Sequence, residues 1–125
     1  PCTYDGLSLN GPDQLAGGPA RTRTGSACPD VPLGDTYLLN RLGGEFIIMT
    51  INADAPDSIE EDGITARRLA LSASDDPSGA LAERYLGSAR AAVYLIRPDQ
   101  HVAARWDSFN EAALRKALRK ACGKD

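Results

Sequence analysis

Tyr94-Leu95-Ile96-Arg97-Pro98-Asp99-Gln100-His101-Val102-Ala103-Ala104-Arg105 is the stretch on which the fold turns. An apolar run, a proline turn and a second extended run specify a β-hairpin, because Pro98 presets the second position of a type I turn over Arg97 to Gln100. The first strand spans Ala91 to Ile96 and the second His101 to Trp106. The tip is unusual in carrying an arginine, an aspartate and the chain's one histidine.

Working outward, Ser108-Phe109-Asn110-Glu111 reads as a capping box. It opens a helix with Ala113, Leu114, Ala117, Leu118 and Ala121 on one face, Arg115, Lys116, Arg119 and Lys120 away from it, and Gly123 as its stop. Upstream, Asp76-Pro77 opens a helix with Leu81, Ala82, Tyr85 and Leu86 on one stripe and Gly87 as its end. Thr65 to Ser72 is extended, with Leu69 and Leu71 alternating.

Asn52-Ala53-Asp54-Ala55-Pro56-Asp57 offers a cap and a proline for a short helix closed by Asp62-Gly63. Phe46-Ile47-Ile48-Met49-Thr50-Ile51 is a nearly continuous β-favouring run, expected of a central strand covered on both faces. Thr36 to Gly44 reads as a short helix closed by Gly43-Gly44. Residues 1 to 35 hold eleven of the chain's twenty Gly and Pro residues and no sustained periodicity, so they form a linker or wrapping arm.

Helices and strands thus alternate before a final hairpin and helix. The fold class is α/β, thioredoxin-like: a four-stranded mixed sheet flanked by helices at 36–125, with a long irregular N-terminal arm at 1–35.

With 125 residues, 42% hydrophobic and 25% charged, the chain is an ordinary globular domain able to bury one modest core. Its net charge of -3 argues against nucleic acid and anionic membranes, which require a basic surface. No apolar run approaches the roughly 18 to 20 residues of a membrane helix, and Pro1-Cys2-Thr3-Tyr4 is no signal peptide, so a cytoplasmic protein is expected. The only methionine is Met49, which marks the chain as a processed product or an excised piece of something longer. Cys2, Cys28 and Cys122 are too few and too scattered for a disulfide framework, and a Cys2 to Cys122 bridge is disfavoured in a reduced compartment.

A thioredoxin-type redox centre needs Cys-x-x-Cys where a helix starts after the central strand, since the helix dipole and free amides there lower a thiol's pKa. That position reads Asn52-Ala53-Asp54-Ala55, and Ser88-Ala89-Arg90-Ala91 lacks the proline that faces such a site. Cys28, in Ala27-Cys28-Pro29-Asp30, is read as an ordinary thiol near a turn, with a reactive thiol as the rival. Cys122 is read as a small core residue.

His101 with Asp99 lacks the paired spacing of zinc ligands, so His101 is expected to hydrogen-bond near the hairpin and Asp99 to stabilise the turn. The seven carboxylates from Asp54 to Asp76 do not follow the EF-hand order and read as a solvated face. No G-x-G-x-x-G, P-loop or G-x-S-x-G is present. On these grounds no catalytic, cofactor-binding or metal residue is assigned.

The string Arg97-Pro98-Asp99-Gln100-His101-Val102-Ala103 resembles the last hairpin of the C-terminal, thioredoxin-like domain of FAD-dependent aromatic-ring hydroxylases of the phenol hydroxylase type, which reads L-V-R-P-D-Q-H-V-A-W-R. Tyr4 to Leu9 is similar to that family's Y-x-x-S-P-L segment, Gly25 to Leu33 to its P-G-x-R-A-P-x-x-x-L segment, and Tyr37 to Ile48 to its D-L-L-G-x-x-F-x-L-L run. Serine and leucine stand at Ser8-Leu9 in place of the family's S-P-L proline, and Ala104 in place of its hairpin tryptophan.

The resemblance implies a flavoprotein monooxygenase in which FAD, NAD(P)H and a phenolic substrate bind upstream. This segment then holds no cofactor and serves packing and association with the upstream FAD-binding domain and in a homodimer, with Arg97, Pro98, Asp99, Gln100 and His101 as its interface candidates. The rival readings are a stand-alone thiol oxidoreductase using Cys28 and a protein-binding module.

Overall fold

The structure, a computed structural model, describes residues 9–124. Eight strands and one α-helix follow in chain order: β1 Asp13–Gln14, β2 Pro32–Leu33, β3 Thr36–Tyr37, β4 Phe46–Ile51, β5 Ser58–Glu61, β6 Ile64–Leu71, β7 Ala92–Ile96, β8 Val102–Trp106 and α1 Glu111–Ala121. The main sheet runs β1-β8-β7-β4-β6-β5, and β2 with β3 forms a separate two-stranded ribbon. The sheet is mixed: β4 is parallel to β6 and antiparallel to β7, and β7 is antiparallel to β8.

β4 lies in the middle and is buried along its whole length. Its alternate side chains feed two cores. Ile47, Met49 and Ile51 join Leu69, Tyr94, Leu81 and Tyr85 on one face. Phe46 and Ile48 join Leu95, Trp106, Leu114 and Leu118 on the other. Each large apolar side chain so buried contributes about 1.5–3 kcal/mol.

The sheet has six strands rather than the expected four. One extra strand is β5, where a helix ending at Asp62-Gly63 was expected. Asp62 and Gly63 have φ of 52° and 78°, the backbone of a two-residue hairpin whose twist suits the flanking strands. The register Ser58↔Arg67 to Glu61↔Ile64 follows, and Ile59 turns into the core. The parallel pair β4 and β6 is therefore joined without a helical crossover.

The other extra strand is β1, which pairs parallel with β8 through Asp13↔Arg105 and Gln14↔Trp106. The arm thus supplies the edge of the main sheet, and Leu15, Val31 and Leu33 from it enter the core.

Three further elements depart from expectation. Thr36 to Gly44 is not a helix closed by glycine: Thr36–Tyr37 pairs with Pro32–Leu33, and only Leu38–Arg41 forms a 3-10 turn. Nine residues ending in two glycines cannot propagate a helix that tertiary pairing disrupts at its start. α1 is capped by Asn110, whose side chain accepts from the Ala113 amide, rather than by the capping box at Ser108.

The helix expected from Asp76-Pro77 starts only at Ala80 and runs to Leu86, with Gly87 as its stop. It includes a π-helical piece, Ala82–Leu86. The Asp76 carboxylate receives the amides of Leu81 and Ala82 at 3.0 Å each, and Gly87 takes φ 61°. No helix among the described residues is long and apolar enough to cross a membrane.

Candidate functional site: the hairpin tip and the buried polar chain behind it

The β7–β8 connection is a hydrogen-bonded turn. The Gln100 amide donates to the Arg97 carbonyl at 2.9 Å, and the Arg97 amide to the His101 carbonyl at 2.9 Å. Gln100 takes φ 63°, the left-handed residue that closes a three-residue hairpin loop. Within the tip, the Arg97 guanidinium grips Asp99 through both carboxylate oxygens. His101 Nδ1 lies 3.0 Å from the Asp99 carbonyl and 3.5 Å from its carboxylate. Burial alone would raise the Asp99 pKa, but the Arg97 hydrogen bond and charge, with His101, outweigh it and hold the carboxyl below its ordinary value.

The tip is also stitched inward. The Gly44 amide donates to the Pro98 carbonyl at 3.0 Å, the Cys28 amide to the Gln100 carbonyl at 2.9 Å, and Gln100 Nε2 to the Leu39 carbonyl at 3.2 Å. His101 bridges Ala27. Three separate segments thus hold one turn, which leaves the carboxylate of Asp99 and the His101 ring as its outward polar groups. Their side chains are 41% and 38% exposed, against 13% for Arg97.

The remaining candidates are scattered. Cys28 is buried, and that burial pushes its thiol up to about 12 even though Tyr85 opposes the shift. Such a thiol is a poor nucleophile at neutral pH. Asn52 to Ala55 forms a loop in which Asn52 sits at φ 55° and donates to the Arg90 carbonyl at 3.1 Å. Cys122 is buried beside α1 and is not a free thiol, while Cys2 and its weighed bridge lie outside the described residues, as does the motif match at Tyr4 to Ser8. Among the described residues no three metal-ligating side chains converge.

Sequence reasoning missed a buried polar chain that fastens the arm. Arg105, 5% exposed, donates through Nε to Asp13 Oδ1 at 2.7 Å and through Nη1 to the Pro19 carbonyl at 2.8 Å and Thr22 Oγ1 at 3.2 Å. Thr22 Oγ1 donates to the Arg84 carbonyl at 2.8 Å, and the Tyr94 hydroxyl to the Tyr85 carbonyl at 2.6 Å. Tyr85 in turn donates to the Pro29 carbonyl at 2.6 Å. The signal available was Arg105 itself, a charge inside an otherwise apolar strand, which demands a buried partner.

A family model described as aromatic-ring hydroxylase, C-terminal, matches residues 21–124. No curated protein matches the chain. Among solved structures, aklavinone-11 hydroxylase in a ternary complex with FAD and aklavinone is similar, with TM-score 0.58 and 23% identity over 82% of this chain and 22% of that one. RebC-10x soaked with chromopyrrolic acid is similar at TM-score 0.59 and 19% identity, over 96% of this chain and 21% of that one. RebC with the same soak gives 0.56 and 18%, over 83% and 19%. At these identities the likeness is one of fold, and the chain spans about a fifth of the length of these proteins.

Proposed function

Since this chain belongs to the aromatic-ring hydroxylase C-terminal family, we propose that it is the non-redox, thioredoxin-like structural and oligomerisation domain of an FAD-dependent aromatic-ring monooxygenase. FAD and NAD(P)H are held by an upstream portion of the polypeptide and none by this segment. Residues 1–35 are the arm from that portion and 36–125 the domain body, in a cytoplasmic homodimer whose contacts include the Arg97 to His101 tip.

The observation that carries this reading is the state of the sulfur. The loop after the central strand, Asn52 to Ala55, contains none, and Cys28 is buried with its pKa raised. The order β8-β7-β4-β6 with its one parallel and two antiparallel pairs, followed by α1, supports the thioredoxin-like assignment. The outward Asp99 and His101 support the tip as a contact surface, because a turn already satisfied from within needs no further partner for its own stability.

The test is to express the full polypeptide and the 125-residue chain in parallel. The first is expected to be yellow with bound FAD and dimeric by sedimentation, the second colourless and without disulfide-reductase or peroxidase activity. Peroxide consumption by the chain that Cys28→Ser abolishes would overturn the reading.

A further inference from the structure

A groove runs along the sheet edge between β1 and α1. Its larger part, about 440 Å3, is floored by Gly11, Pro12 and Ala117 and rimmed by Lys116 and Lys120. A second part, about 300 Å3, continues past the shared Gln14 and Ala113 to Trp106 and to Asp107, whose carboxylate accepts from the Ala16 amide. The close fit at Gly11, where an added Cβ would stand 3.1 Å from that of Ala104 and 3.2 Å from that of Ala117, keeps arm and helix together at its base.

Two features of the groove lack partners among the described residues. Arg115 and Arg119 on α1 are both paired with Glu61, whereas Lys116 and Lys120 have no ion pair with any described residue. Like charges four residues apart on a helix repel, and an anionic partner between them would relieve that repulsion. Finally, β1 is the outer strand. The carbonyls of Pro12, just before it, and of Gln14 accept from the amides of Arg105 and Asp107, so the intervening Asp13 turns its backbone amide and carbonyl away from the sheet.

We propose that this groove holds an acidic, extended segment of the flavin-binding portion of the same polypeptide, its carboxylates on Lys116 and Lys120. The inference rests on the reading under Proposed function. A segment on the same polypeptide is present at high effective concentration, and a sheet edge beside a helix is a surface to which an extended peptide can add as a strand.

The experiment uses the full polypeptide. Zero-length carbodiimide coupling followed by peptide mass analysis is expected to join Lys116 or Lys120 to an Asp or Glu of the flavin-binding portion, within one chain. In K116E/K120E, amide exchange across Glu111–Ala121 is expected to rise about tenfold, and in K116R/K120R to stay unchanged. A cross-link to a second copy, to Asp5, or to nothing, or exchange unaffected by the charge reversal, overturns the proposal while bound FAD leaves the parent reading standing. Absence of FAD overturns both.

Discussion

Arg105→Met isolates what the buried arginine contributes. The substitution keeps the aliphatic stem but removes donors from the Asp13 carboxylate, the Pro19 carbonyl and the Thr22 hydroxyl. Breaking a buried pair from one side costs about 3–5 kcal/mol. The Asp13 side chain is 34% exposed and can rehydrate in part, so about 3 kcal/mol is expected. With a urea slope of about 1.5 kcal/mol/M, the unfolding midpoint should fall by about 2 M.

Trp106 is the chain's only tryptophan and adjoins Arg105, which makes its fluorescence the natural readout. Acid adds a second arm to the assay. Burial would raise the Asp13 pKa, but hydrogen bonds from Arg105 and Thr24 leave it lowered. The pair's contribution is therefore complete above the unfolded-state carboxyl pKa of about 3.9 and is lost as pH falls through the lower folded value. The gap between wild type and Arg105→Met should narrow over that window. A midpoint shift worth less than about 1 kcal/mol at pH 7 would refute the argument, because it would equate a buried charged pair with an exposed one.

Cys28 should resist alkylation in the folded chain: its pKa, raised from 9.0 to about 12, lowers the thiolate fraction near pH 8 by about a thousandfold, which timed iodoacetamide labelling with and without urea will measure. Gly87→Ala should destabilise by about 2–4 kcal/mol, read as a drop in Tm, because the new Cβ would stand 2.4 Å from the Gly17 carbonyl at φ 61°. Hydrogen bonds from Arg119 and Arg115 lower the Glu61 pKa, so Glu61→Gln should lower Tm at pH 7 and match wild type once pH has fallen below the folded pKa. A Tm difference that does not shrink as pH is lowered would rule that account out.

The strands at Phe46–Ile51, Ile64–Leu71, Ala92–Ile96 and Val102–Trp106 were legible because each is apolar or alternating over five residues or more, and α1 because its apolar stripe keeps helical spacing. The β5–β6 hairpin was hidden by an ambiguity. Asp62-Gly63 ends a helix or turns a hairpin with equal ease, and Pro56 tipped the reading to helix, although Ser58-Ile59-Glu60 already alternated. β1 was beyond reach, since two residues carry no periodicity and its register is set by Arg105, 92 residues from Asp13. At the candidate site, the turn at Arg97 to Gln100 was read correctly from Pro98 alone. Its three anchoring partners, Cys28, Leu39 and Gly44, were invisible because they contribute backbone atoms, which the sequence does not distinguish.

The fastening of residues 9–35 decides where this protein can be cut. A gene fragment begun at residue 36, where composition changes, would strip β8 of its neighbour and strand the Arg105 charge in an apolar cleft. Such a product should accumulate as inclusion bodies, whereas one that keeps Leu9 onward carries its own counter-ion. For recombination as for cloning, the usable seam lies ahead of the arm.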